Sequence, residues 1–298
     1  MEIYQTPTLE INDDLLLEKG IKLLIKREDL IHPIVSGNKW RKLKYNLKAA
    51  SRLGQDCLLT FGGAYSNHIA AVAGAGKEFG FKTIGIIRGE EHLHLNPTLA
   101  FATACGMQLI YLDRESYRNK NDPEFIKQLE KDHAPFYLIP EGGTNELAIQ
   151  GCEEIIEDIA APFDILCCPV GTGATISGLI SGLEGAKQVL GFSALKGDFL
   201  QNDVSSLLEK YRKSYANWEI NIDYHFGGYA KIKPALIDFI LDFEKKHKVP
   251  LEPIYTGKML FGIMDMIIKD KFEPGITILA IHTGGLQGNA GFDFRKNS

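Results

Sequence analysis

The feature that most constrains this chain is a short apolar run that repeatedly gives way to glycines. Runs at 57–61, 136–139 and 165–170 lead to Gly62-Gly63, Gly142-Gly143 and Gly171-Thr172-Gly173. Two more, at 224–226 and 276–281, lead to Gly227-Gly228 and Gly284-Gly285. Short runs rich in Ile, Val, Leu and Phe read as buried parallel strands. Helical patterns lie between them at 38–53, 67–79, 96–105, 123–132, 147–159 and 236–247. Strands alternating with helices imply an α/β fold with parallel sheets. Ligands of such sheets bind beyond the carboxyl ends of the strands, where these glycines allow close backbone approach. Several converging glycine loops therefore predict one sizeable ligand site.

With 298 residues the chain is long enough for two compact domains. No Pro/Gly/Ser-rich linker divides it, so two domains would be crossed more than once. The net charge of −5 and the lack of a basic block outside 39–44 exclude nucleic acid or an anionic membrane as the expected partner. No apolar run approaches the roughly 20 residues of a membrane span. The first residues show no basic stretch followed by an apolar one, so no secretory signal is expected. The five cysteines form no CxxC pair and no zinc spacing with histidine, and read as reduced thiols. His92-Leu93-His94 has no acidic or Cys companion at fitting spacing, so no metal site is expected. A cytoplasmic enzyme is the plain expectation.

Five segments carry chemistry. In Ser36-Gly37-Asn38-Lys39-Trp40-Arg41-Lys42, Asn38 reads as a helix cap that leaves Lys39 and Lys42 on one face. A lysine that forms an imine must be available as the free amine. Burial and neighbouring cations such as Arg41 and Lys42 push its pKa in that direction. A solvated basic face is the alternative. Ser66 and Asn67 open a helix after the 57–61 strand, where Ser66 is either a simple cap or a reactive hydroxyl. The Gly171-Thr172-Gly173-Ala174-Thr175 loop opens a helix and offers backbone N–H groups to a phosphate, or is an ordinary tight turn. Ile176 stands where a dinucleotide loop would have its third glycine, and the loop lacks a Gly-Lys-Ser/Thr ending, so a single phosphate fits best. Tyr255 and Thr283 lie in Tyr255-Thr256-Gly257-Lys258 and His282-Thr283-Gly284-Gly285.

Together these segments, with Asn96-Pro97 and Glu141-Gly142-Gly143, resemble the 1-aminocyclopropane-1-carboxylate deaminase and D-cysteine desulfhydrase family of enzymes dependent on pyridoxal phosphate (PLP). The motifs keep the family's order over nearly the whole chain. The resemblance implies the tryptophan-synthase-like (type II) PLP fold, with two parallel-sheet α/β domains. Residues 1–48 and 155–298 would form the larger, PLP-binding domain, and 49–154 a smaller inserted one. Lys39 would form the Schiff base with PLP and serve as base. Asn67 would bond the phenolic oxygen of PLP. Gly171, Thr172, Gly173, Ala174 and Thr175 would hold its phosphate together with Lys42, and Thr283 would face the pyridine nitrogen. Ser66 and Tyr255 would act on the substrate, a small amino acid.

The implied reaction is β-elimination from D-cysteine to pyruvate, ammonia and sulfide. The alternatives are opening of a cyclopropane amino acid to 2-oxobutanoate and ammonia or, outside the family, phosphate-ligand binding without PLP chemistry. A homodimer is expected by the same resemblance. Three residues depart from the pattern. Ala280 stands where the deaminases are expected to carry a second tyrosine, and Trp40 and Tyr65 put bulky aromatics beside Lys39 and Ser66.

Overall fold

A computed structural model describes residues 4–91, 94–133 and 135–292. The chain begins with β1 (Thr8–Ile11), α1 (Asp14–Lys19), β2 (Lys22–Lys26) and α2 (Asn38–Arg52). It continues through β3 (Cys57–Gly63), α3 (Asn67–Phe79), β4 (Lys82–Arg88), α4 (Pro97–Ala104) and β5 (Gln108–Leu112). Next come α5 (Pro123–Asp132), β6 (Tyr137–Ile139), α6 (Glu146–Glu157), β7 (Ile165–Val170) and α7 (Ala174–Leu183). The last elements are β8 (Gln188–Ser193), α8 (Phe199–Lys210), β9 (Trp218–Asn221), α9 (Pro234–His247), α10 (Thr256–Ile268) and β10 (Thr277–Ile281).

Two sheets result. One has the order β1-β2-β10-β7-β8-β9 and is parallel except for β1, which pairs antiparallel with β2. The other, β5-β4-β3-β6, is parallel throughout. The chain thus has the two α/β sheets expected, with a single antiparallel edge in the larger. Strand alternation splits each core into two layers. On β3, Leu58 packs with Trp40, Ile69 and Val72, while Cys57, Leu59 and Phe61 face the opposite way, towards Ile86 and Leu129. In the larger sheet, Leu23 and Ile25 pack with Leu260 and Ile263 of α10. Val170 and Leu279 pack with Leu179 and Val204 on the other side.

Helix starts follow local capping chemistry. Asn96 Oδ1 accepts from the N–H groups of Thr98 and Leu99, ahead of a proline that needs no donor. The 224–226 run, expected as a strand, is not one. Tyr224 and Phe226 instead turn their rings onto Phe261 of α10. Their apolar character serves packing, and the nearby edge strand is β9.

Helices α2, α6 and α7 join the two halves. A Cβ on Gly178 of α7 would come 2.4 Å from the Cys152 side chain of α6, and one on Gly151 of α6 would come 2.0 Å from the carbonyl oxygen of Arg41. We propose 1–48 with 155–298 and 49–154 as the domain divisions, and the second boundary falls within α6 at this junction.

Candidate active site

The carboxyl ends of β3, β4, β7 and β10 open onto a cavity of about 1000 Å³. Lys39 reaches it from the first turn of α2. Gly37, at φ 65°, occupies the cap position of that helix, and a Cβ there would lie 2.0 Å from the carbonyl oxygen of Thr283. The backbone N–H of Asn38 donates to the same carbonyl at 3.1 Å. The start of α2 is thereby fixed to the end of β10. Asn38, expected as the cap, is the first helical residue and makes no capping bond. Its side chain donates from Nδ2 to Thr175 Oγ1 at 2.9 Å, and its Oδ1 accepts from Lys39 Nζ at 2.7 Å. One amide thus links the lysine to the 171–175 loop.

Burial, and secondarily the charge of Lys42, bring the Lys39 ammonium down to about 7. Arg41, expected to help, lies on the other side of α2, where Glu28, Glu154 and Asp158 surround it. Helical geometry turns roughly 100° per residue, so positions 39 and 41 diverge while 39 and 42 stay near one another. Lys42 is buried and donates to the Gly142 carbonyl at 3.0 Å. With Lys39 at about 7, its uncharged fraction climbs from about one tenth at pH 6 to about nine tenths at pH 8. Association of PLP with protein stripped of cofactor should therefore quicken through pH 7 and level off above pH 8. Stopped-flow absorbance measures this, and a rate that does not change across that range would contradict it.

Ser66 and Asn67 begin α3 on the smaller-sheet wall. Ser66 Oγ accepts from the Ile69 N–H at 3.3 Å, so the serine caps the helix while lining the cavity. Asn67 Oδ1 accepts from Gln287 Nε2 at 2.9 Å. Gly285 permits this, because a Cβ there would come 2.6 Å from Asn67 Nδ2. Opposite, Gly171, Thr172, Gly173 and Thr175 line the cavity between β7 and α7. Thr172 Oγ1 accepts from Thr144 Oγ1 at 2.7 Å. Ala174 is the buried first residue of α7, behind the loop surface. Thr283 lines the cavity at the end of β10, and Tyr255 lines it at the start of α10.

The three departures sit elsewhere. Trp40 is 1% exposed and stacks on His32 at 5.1 Å in the core. Tyr65 is 45% exposed and packs beside Gly291. Neither lines the cavity. Ala280 is fully buried in the core among Leu23, Ile25 and Ile278. The cavity does hold a tyrosine that pairs with Tyr255, supplied by the loop after Gly227-Gly228. Tyr229 stands edge-on to Tyr255, with ring centroids 6.2 Å apart. Burial raises both hydroxyls above their ordinary value, Tyr255 the more strongly, so both stay protonated. Sequence reading missed Tyr229 and Arg88, and it gave no site role to Glu141 or His68; all four line the cavity. The Gly-Gly-Tyr spelling was the available signal for Tyr229. Of the His92-Leu93-His94 run, His92 and Leu93 lie outside the described residues and His94 is exposed.

A family model for pyridoxal-phosphate dependent enzymes matches residues 1–284. The chain belongs to that family.

This PLP-dependent enzyme is 32% identical to a Pyrococcus furiosus protein named provisionally as a 1-aminocyclopropane-1-carboxylate deaminase, over 90% of this chain and 86% of that one. It is 31% identical to the mitochondrial bifunctional D-cysteine desulfhydrase/1-aminocyclopropane-1-carboxylate deaminase of Arabidopsis thaliana, over 91% of this chain and 74% of that one. A crystal structure described as an ACC deaminase homologue superposes with a TM-score of 0.84 at 29% identity, covering 98% of this chain and 94% of that one. Within the PLP-dependent family, the enzyme falls in the group that contains these relatives.

The residues present fit PLP. The cavity holds a lysine whose amine is half uncharged near neutrality, and it carries backbone N–H groups and hydroxyls at a helix N-terminus suited to a phosphate. Gly285 leaves room for an asparagine side chain that is already held in place. Among the described residues no group of three His, Cys, Asp or Glu is placed to hold a metal ion, and no helix is long and apolar enough to cross a membrane.

Proposed function

We propose that this enzyme is a lyase that eliminates the β-substituent of a small amino acid, with D-cysteine as substrate and pyruvate, ammonia and sulfide as products. The observation that carries this is Lys39, an amine near 7 facing a cavity that also holds Ser66 and Tyr255. When bound, PLP supplies the electron sink that stabilises negative charge at the substrate α-carbon.

The residues divide the remaining work. Asn67, Thr283, Lys42 and the 171–175 loop (Gly171, Thr172, Gly173, Ala174, Thr175) hold the cofactor in place. Lys39 Nζ would attach the cofactor and serve as the base for the substrate α-proton. Ser66 Oγ binds the substrate carboxylate from the start of α3. Tyr255, held protonated by burial, gives a hydrogen bond or a proton to the departing thiol. The names of the Arabidopsis relative and of a Klebsiella pneumoniae D-cysteine desulfhydrase, 27% identical over 96% of this chain, support the substrate. A homodimer in the cytoplasm goes with this reading.

A second reading is favoured by Tyr229. Ring opening of 1-aminocyclopropane-1-carboxylate calls for groups on the substrate side of the cleft, and here two tyrosines face each other there. A panel of D- and L-amino acids with the cyclopropane acid, scored for keto acid, ammonia and sulfide, separates the two. Sulfide with pyruvate from D-cysteine is expected. Release of 2-oxobutanoate from the cyclopropane acid alone would reverse the assignment. Tyr255→Phe should keep the near-visible cofactor band and lose about 10²-fold in turnover.

A further inference from the structure

Tyr255 stands at the cap position of α10, where a helix normally places Ser, Thr, Asp or Asn to accept from its free N–H groups. A tyrosine facing a cleft cannot do this. The role passes to Glu252, which is 1% exposed. Its carboxylate accepts from the backbone N–H groups of Ile254 at 2.7 Å, Tyr255 at 2.9 Å and Thr256 at 2.6 Å. Thr256 closes the motif. Its hydroxyl donates to Glu252 Oε1 at 3.1 Å and accepts from the Glu252 N–H at 3.3 Å.

The partner tyrosine is held by a base. Tyr229 sits in a loop where Phe226, Gly227, Gly228 and Ala230 all have positive φ, at 56°, 104°, 113° and 55°. Two of these are non-glycine residues, so the loop conformation is costly and persists only where its surroundings enforce it. Lys258, one turn into α10 and 1% exposed, supplies the restraint. Its Nζ donates to the Gly228 carbonyl at 2.8 Å and to the Ala194 carbonyl at 3.5 Å. The first carbonyl immediately precedes Tyr229, and the second precedes the cavity residue Leu195. Apart from their mutual attraction, the buried carboxylate and buried ammonium are satisfied almost wholly by the backbones of these loops. A helix needing only stability would be capped more simply by a serine or aspartate.

We infer that Glu252 and Lys258 are positioning residues, a buried acid and a buried base that hold Tyr255 and Tyr229 against each other at the substrate end of the cleft. The inference rests on the reading of that tyrosine pair as substrate-facing. Neither residue touches the cleft, so each acts through its tyrosine.

Hydrogen exchange and a pair of double-mutant cycles test this. Glu252→Gln should speed exchange at 254–256, and Lys258→Met at 226–231, each by about tenfold, while the cofactor band persists. Glu252→Gln should lower kcat about tenfold in the wild-type background but less than about twofold in a Tyr255→Phe background, because the group it positions is already gone. Lys258→Met should behave the same way against Tyr229→Phe. If Lys258→Met does not fold, Lys258→Gln, which keeps one neutral donor, enters the same cycle. Equal losses in both backgrounds, or unchanged exchange at the two loops, would overturn the inference. If the exchange responds as stated but the wild type forms no keto acid from any substrate, the lyase reading fails and the clamp stands.

Discussion

Lys39→Ala should reduce keto-acid formation by about 10⁴-fold or more, since on the proposed roles it removes both the covalent attachment point and the base. The near-visible band that borohydride fixes to the wild-type chain should no longer become covalent. Lys42 is poorly placed to take over, because its amine is tied to the Gly142 carbonyl at 3.0 Å. A Lys39→Ala protein that retained more than about one hundredth of the wild-type rate would mean that another group moves the α-proton. Mass spectrometry of the borohydride-treated protein, with peptide mapping, measures the attachment independently of the rate.

The second large effect is on stability and lies two residues further along the same helix. Arg41 is buried and donates to Glu28 from Nε at 2.9 Å and from Nη2 at 3.2 Å, and it also pairs with Asp158. Glu28 has no exposure at all. Its pairing with Arg41 holds the guanidinium charged well above its ordinary value. Arg41→Met would leave the Glu28 carboxylate buried with the Thr6 hydroxyl, 2.7 Å away, as its remaining close donor. An uncompensated buried charge of this kind costs roughly 3–5 kcal/mol. Urea denaturation followed by circular dichroism should show that loss. Lys82→Met, which removes an exposed partner of Asp56, should leave the urea midpoint nearly unchanged. Glu28→Gln added to Arg41→Met should recover part of the stability, whereas a further loss would argue that the carboxylate was satisfied elsewhere.

Much of the fold was legible because burial on both faces writes a strand as an unbroken apolar run. That signal located β3, β6, β7 and β10, helical patterns located α3 and α5, and capping chemistry marked the starts of α2 and α3 to within a residue or two. It failed where an apolar run had another cause, as at 224–226, whose rings pack on α10. It also passed over β4 and β8, which end in Arg88 and Ser193 rather than in a glycine pair.

The site was legible in its loops and less so in its geometry. Lys39, Ser66, Asn67, Thr283 and most of the 171–175 loop meet around one cavity. Which way a side chain turns was harder to read. Asn38 looked like a cap and is a bridge between Lys39 and Thr175, while Arg41 looked like a neighbour of the lysine and belongs to the scaffold. Tyr229 was hidden because its distance from Tyr255 is set by a strained loop, and no spacing rule encodes such a fold-back.

The opposed faces of α2 tie the amine to the scaffold. Rotating or sliding this helix to move its amine would also pull a guanidinium off a carboxylate sealed from water. The amine's place in the cleft is thereby coupled to the stability of the whole fold, and a variant that shifts it should also unfold more readily.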